Sequence, residues 1–423
     1  MIKTELANRS ITNSVDNTLL PRHRWYPIKE GFSAKLISDD IGKLDPKRKA
    51  SLMAIEPFSG SGTTPVECAM QKVGCLALEV NPFLAFVGQT KLKQIDTKGF
   101  ASQRSSILKG LKSPLRIPLE DYSTFCEGKG KEKWLFNRGV FRSFAGGWAS
   151  TEKCATSEQA LFRLALLRAV MDNCNAYPDG KCLRYKRLKD FKSFNAGFLA
   201  SQFEFYCKMM EEDIKAFPIE KGLSKIVQMD VRTLAKYKDA RKFDFCITSP
   251  PYLNTFDYSD VYRPELFLAG FVEDNQDLMK IRMKTIRSHV QANWALPVRN
   301  TFGVLYAKML KEIETKKDDL WSNRIPAMIQ AYFEDLEKLL IALKSRANKG
   351  ATLKIVVATS AYAGVIIPVD LIIADIAENL GWLLEEVQTI RRLRSSAQLW
   401  RHENLHNSDQ ELRESIVILK SAN

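Results

Sequence analysis

The 423-residue chain is poor in residues that bind metals or cross-link a fold. It has four histidines, and its eight cysteines (Cys68, Cys75, Cys126, Cys154, Cys174, Cys182, Cys207 and Cys246) form no CxxC pair. This argues against a structural zinc site and a disulfide framework, so no metal is expected and reduced thiols in a cytoplasmic setting fit best. No apolar run reaches the roughly 20 residues of a membrane span. The opening MIKTELANRSITNSVDN has no apolar core of a secretory signal, and no membrane association is expected. The glycine-rich turn near residue 60 is not followed by a P-loop lysine, which argues against nucleoside-triphosphate hydrolysis. Its spacing is not GxGxxG, which weakens a nicotinamide reading.

Positive charge is what the chain has in excess: 63 Lys and Arg against 49 Asp and Glu, a net +14. That balance fits a polyanionic partner, nucleic acid first, or a solvated basic surface. Hydrophobic content of 45% and charge of 26% are ordinary for a globular protein. The length suits two or three domains, or one large domain with insertions.

Along the chain, SLMAIEPF reads as a buried strand, SGSGTT as a glycine turn, and PVECAMQKVG as a helix with Pro65 in its first turn and Gly74 past its end. CLALEVN is a second strand and PFLAFVGQTKL a second helix, the start of a doubly wound α/β sheet. Residues 96–224 then show helical patterns and few strand signals, and carry 22 Lys and Arg against 15 Asp and Glu. The α/β pattern resumes with KIVQMDVRTL and KFDFCITSPPY, gives way to a helical segment over 259–348, and ends with LKIVVATSAYAG, VDLIIADIAENLG, WLLEEVQTIRR and RESIVILK.

Two stretches carry chemistry. In EPFSGSGTT, glycines after a strand let backbone approach a ligand, and the next helix offers free N–H groups. Glu79 ends the following strand, where a carboxylate can accept both ribose hydroxyls of a nucleoside, and Asp230 ends the third strand, placed to meet an adenine ring. Helix capping and surface acids are the plainer readings of the same residues. In TSPPY, proline cannot continue a central strand, so the strand should stop at Thr248. Pro250 and Pro251 rigidify a loop whose carbonyls can be preorganised, Ser249 adds a hydroxyl, and Tyr252 offers a ring for a base to stack on. An exocyclic amine is a poor nucleophile, and acceptors held in this way would raise its reactivity. Cys246 lies within the strand and reads as core.

EPFSGSGTT, LEVNP and TSPPY together resemble the S-adenosylmethionine-dependent DNA amino-methyltransferases, which methylate cytosine N4 or adenine N6. The resemblance covers about half the chain in five blocks. It implies a doubly wound, Rossmann-like sheet of seven strands, the last antiparallel, which the helical pattern of 96–224 would interrupt as a large, mainly helical insertion. Residues 1–95 would form the N-terminal half of the methyltransferase domain, 96–224 the insertion and recognition region, and 225–423 the C-terminal half with the catalytic loop. The block EPFSGSGTT is similar to the family's first motif, which implies cofactor contacts from Glu56, Phe58, Gly60, Gly62 and Thr63. LEVNP makes Glu79 the ribose ligand, and QMDVRTL sets Asp230 near the adenine. HRWYPIKEGFSAKLI is similar to the motif preceding the first, implying that Phe32 and Ser33 line the cofactor pocket. TSPPY implies a catalytic loop of Ser249, Pro250, Pro251 and Tyr252, and the loop in ATSAYAG is expected to close over the target base.

Double-stranded DNA is then the expected partner, with a cognate restriction endonuclease or defence-system partner left open. Arg184, Lys186 and Arg187, in the basic stretch 181–192, are expected to contact it, as are Arg391, Arg392 and Arg394 unless these are solvated charges. Serine at the head of the tetrapeptide leans towards cytosine N4. Adenine N6, an RNA amine, and an inactive nucleic-acid-binding module with the same fold are the alternatives, and cofactor binding separates the last from the rest.

Overall fold

The computed structural model describes residues 2–3, 14–28, 31–43, 49–179, 182–187, 194–239, 241–254, 257–393 and 412–422. Its centre is a sheet built from β1 (Met53–Glu56), β2 (Gly74–Glu79), β3 (Ser224–Gln228), β4 (Phe243–Thr248), β5 (Ala347–Ala358), β6 (Trp382–Arg392) and β7 (Arg413–Ser421). Across the sheet they run β6-β7-β5-β4-β1-β2-β3, and a two-residue strand, Ile2–Lys3, pairs with the outer edge of β6. β7 is antiparallel to both neighbours, and the rest pair in parallel. The sheet is thus the seven-stranded α/β sheet that the sequence implied.

The strands are apolar on both faces because helices cover both. On β5, Leu353, Ile355 and Val357 point into one buried cluster and Val356 into the other, the period-two alternation of a strand. The first face packs on α11 (Val304–Thr315), α12 (Ile325–Arg346) and α13 (Val369–Asn379). The second packs on α1 (Ala34–Gly42) and α2 (Thr63–Met70). Cys246 is fully buried in the first cluster, as read.

A third buried cluster belongs to the insertion, with α4 (Phe100–Leu111), α5 (Arg138–Ser150), α6 (Thr156–Asp172) and α7 (Ala196–Ala216). It also takes in Trp25, Tyr26, one side of α3 (Pro82–Lys91), and residues of α8 (Tyr258–Val261), α9 (Arg263–Leu268) and α10 (Asn275–Arg282). The insertion therefore shares a core with the segment that follows the TSPPY loop. No described helix is long and apolar enough to cross a membrane.

Three local expectations need correction. Gly74 does not end a helix but starts β2, where a Cβ would meet Met53 Sδ at 2.8 Å. The basic stretch, in a segment read as mainly helical, begins in a hairpin, Ala176–Asp179 against Cys182–Tyr185. The segment SAYAG is no free flap. It is a hairpin, Ser360–Tyr362 against Val365–Ile367, turned by Ala363 and Gly364 at positive φ. Tyr362 Oη donates to the Leu253 carbonyl at 3.0 Å, so the hairpin braces the loop that follows β4.

Candidate active site

β1, β2, β3 and β4 all end at the same edge of the sheet, and β7 begins there. At this edge lies a cavity of about 330 Å³. Its lining follows the strand order: Met229 and Val231 after β3, Glu79 and Asn81 at β2, Phe58 and Gly60 after β1, Ser249 to Tyr252 after β4, then Glu414 of β7 and Arg391 of β6. Ligands of open α/β sheets bind at this carboxyl edge, where the strand order reverses, here between β1 and β4.

The β1–β2 end is held by backbone donors. Gly60, at φ +51°, turns its N–H onto Glu79 Oε2 at 2.7 Å, and Asn81 N–H meets Oε1 at 2.8 Å. Burial pushes the Glu79 carboxyl up to about 7 against the pull of these N–H groups. Each carboxylate oxygen keeps a lone pair for a further donor. Asn81 caps α3 through Oδ1, while its buried Nδ2 has no partner and belongs to the cavity lining. An acid for a diol, an orphaned amide donor, and Ile28, Leu84, Met229 and Val231 as apolar walls fit a nucleoside-bearing cofactor.

Several residues expected to touch that cofactor are elsewhere. Glu56 is buried beneath the turn and accepts from Phe58 N (2.9 Å), Thr64 Oγ1 (2.9 Å) and Thr248 Oγ1 (2.5 Å). Burial raises it to about 7. It ties the glycine turn to the end of β4 and does not line the cavity. Gly62, at φ +89°, starts α2, and a Cβ there would meet Gly88 Cα at 3.0 Å, so it permits close packing of α2 on α3. Thr63 is buried in the first turn of α2. Phe32 lies in the core beside α1, which Ser33 caps through Oγ, and Ile28 and Gly31 line the cavity in their place. Asp230 caps the following turn and is forked to Arg232 at 3.0 and 2.7 Å, leaving its neighbours Met229 and Val231 to face the cavity.

The β4–β7 end is held by side chains. β4 stops at Thr248, and Ser249, Pro250, Pro251 and Tyr252 leave the sheet without regular structure. Tyr252 Oη donates to Glu414 Oε1 at 2.6 Å. Glu414 also takes Arg391 Nε at 2.8 Å and Nη2 at 3.2 Å. Arg391, expected on a phosphate, is thus committed to the carboxylate that orients Tyr252. Arg392 is exposed at the end of β6, and Arg394 lies outside the described residues.

In the insertion hairpin, Arg184 is exposed and paired with Asp179 at 3.1 Å, and Arg187 is exposed. Lys186 is not a free surface cation: its Nζ donates to the Cys174 carbonyl at 2.6 Å and sits 4.4 Å from the Phe194 ring centre. The hairpin packs against α8, next along the chain from the TSPPY loop.

The sequence reading missed the far wall, which comes from residues after the loop: Asp257, Ser259, Tyr262, Lys284, Ser288 and His289. They lie in a stretch without a local motif, and only Asp257, a helix cap before α8, carries a local signal. Among the described residues no cluster of His, Cys, Asp and Glu could hold a metal ion.

No family model matches the chain. It is 25% identical over 416 residues to the Type II methyltransferase M.AvaI of Nostoc sp., and equally to that of Anabaena variabilis, covering 90% of this chain and 83% of theirs. It is 24% identical to the Type II methyltransferase M.BsoBI of Geobacillus stearothermophilus, covering 93% of this chain and 85% of that one. Among solved structures, two of the rRNA methyltransferase aviRa from Streptomyces viridochromogenes match at TM-scores of 0.28 and 0.30 and 10% identity, over 99% of this chain and 92% of theirs. That likeness is too loose to bear on fold or substrate. Similarity to Type II methyltransferases thus runs along nine-tenths of the chain, and the glycine turn, Glu79 and the loop after β4 meet in one cavity, as the resemblance of its motifs to the DNA amino-methyltransferases implied.

Proposed function

We propose that the protein is a site-specific DNA methyltransferase acting on the exocyclic amine of a flipped base, cytosine N4 in the first instance. The observation that carries this reading is the single cavity shared by the Glu79 turn and the TSPPY loop. S-adenosylmethionine is the methyl donor the site fits, and it would supply an electrophilic sulfonium methyl for direct displacement by the amine. Glu79 would accept the ribose hydroxyls, Asn81 Nδ2 would donate to the same ligand, and Met229 and Val231 would flank its adenine. Tyr252 would stack on the extrahelical base. Ser249 Oγ and the Pro250 carbonyl would accept the two amine protons, drawing N–H density off a nitrogen whose lone pair is otherwise delocalised into the ring. The amine would gain an N–C bond as the methyl's bond to sulfur breaks and the electron pair stays on the departing thioether, and the proton it sheds would pass to solvent water. No covalent enzyme intermediate is needed, consistent with the buried position of Cys246.

Serine rather than an acid or amide at position 249 favours cytosine, because a compact hydroxyl suits an amine flanked by a single ring acceptor. The names of the relatives support a place in restriction and modification, with a cognate endonuclease as partner. The test is to incubate the protein with labelled S-adenosylmethionine and unmethylated genomic DNA or RNA, then digest the product for mass spectrometry. N4-methylcytosine in DNA is the expected product. N6-methyladenine would move the assignment to the other amine, and label in RNA alone would overturn the DNA reading.

A further inference from the structure

His289 is the buried group in this cavity that no sequence motif marks. It lies between α10 and α11, is 2% exposed, and lines the same cavity as Ser249, Pro250 and Tyr252. One side of the ring packs on Trp294, with centroids 4.5 Å apart. Neither ring nitrogen meets a partner in hydrogen-bonding geometry. A hydrogen-bonding approach by the Gln291 side chain, short of good geometry, opposes the effect of burial on the ring, and a single amide leaves the second nitrogen open. A buried polar atom without a partner is costly, and one at a cavity wall is relieved by a ligand that completes it.

We propose that His289 is a substrate-contacting, specificity-determining residue that donates a ring N–H to the ring nitrogen beside the target amine. The proposal rests on the function proposed above. Burial keeps the imidazole neutral; Asp257 works against this and Arg282 with it. A neutral imidazole presents one donor and one acceptor. In cytosine and adenine the exocyclic amine adjoins an unprotonated ring nitrogen. Two acceptors for the amine, from Ser249 and Pro250, and one donor for that nitrogen, from His289, match this edge. Thymine and guanine carry the reverse pattern there, a carbonyl beside a ring N–H, which would set acceptor against acceptor and donor against donor. Such a mismatch in a buried site discriminates far better than shape alone.

The experiment uses the full chain, labelled S-adenosylmethionine and unmethylated genomic DNA, with His289→Phe and His289→Gln. Phe keeps the contact with Trp294 but has no donor, and Gln restores one. His289→Phe should lower kcat/KM for DNA about thirtyfold, with cofactor affinity by calorimetry unchanged, and His289→Gln should recover most of that loss. Should Phe crowd the fold, Met, which also lacks a donor, is compared with Gln in the same way. Wild-type rates in the Phe or Met variant would overturn the proposal. So would equal losses in the donor and donor-less variants together with weakened cofactor binding, which would make His289 a packing residue. If the wild-type protein itself moves no methyl into DNA, the proposed function falls and His289's role with it; transfer by wild type with an unaffected Phe variant removes His289 alone.

Discussion

The two ends of the cavity are built by different means. At the β1–β2 end, backbone N–H groups of Gly60 and Asn81 hold Glu79, and the residues concerned lie within about 25 positions of one another in the chain. At the β4–β7 end, side chain meets side chain over long separations: Tyr252 reaches Glu414 and Thr248 reaches Glu56. The first end is a rigid cradle set by local turns. The second is assembled only when distant strands dock, so its geometry depends on the whole sheet. Glu56 joins the two, because one carboxylate receives a donor from the glycine turn and another from the end of β4.

The largest effect should come from emptying the side-chain end. Tyr252→Ala removes a ring for the base to stack on and leaves the Glu414–Arg391 pair without its third member. Base stacking is worth roughly 1–3 kcal/mol, so kcat/KM should fall about a hundredfold, with little change in cofactor affinity. Glu414→Gln should give a smaller fall in the same direction, since it weakens the hold on the Tyr252 hydroxyl and the pairing with Arg391 but keeps the ring. Steady-state methyl transfer beside calorimetry separates the ends, and equal loss in both readouts would show that they are not independent.

At the backbone end, Glu79→Ala should weaken S-adenosylmethionine binding at least about tenfold, because charge-assisted bonds to two hydroxyls are worth roughly 1.5–3 kcal/mol each. Calorimetry reporting unchanged affinity would remove Glu79 from the site. Its lost bonds to Gly60 and Asn81 should also lower Tm by a few degrees.

Glu56 tests the joint. Its carboxyl is raised from 4.5 to about 7 by burial, so the folded state keeps a proton that the unfolded chain releases. The stability this contributes is fully present below about 4.5 and is lost as pH rises through about 7. Glu56→Gln has no proton to lose, so its Tm relative to wild type should climb between pH 5 and pH 8. A constant difference across that range would mean that Glu56 is ionised throughout.

The smallest effect belongs to the insertion. Arg184→Gln with Arg187→Gln should weaken DNA binding modestly and reduce the slope of affinity against salt by up to about two phosphate contacts. Lys186 is left out because its amine is spent on the Cys174 carbonyl. An unchanged salt slope would make this face merely solvated.

What the sequence determined by itself is what short-range rules decide. The end of β4 at Thr248 follows from two prolines that cannot stay in a central strand. The glycine turn, the acid closing β2 and the cap on α3 follow from backbone conformation and unpaired helix donors, which neighbours in the chain satisfy. What only the tertiary structure decided is which groups the turns leave open. Asp230 looked like a ligand, but Arg232 occupies it. Arg391 looked like a phosphate contact, but Glu414 takes it. His289 looked like nothing and is buried at the cavity wall with a ring nitrogen left open. A side chain's availability depends on every partner within about 3 Å, and those partners come from strands and helices far apart in the chain, so no local pattern records it.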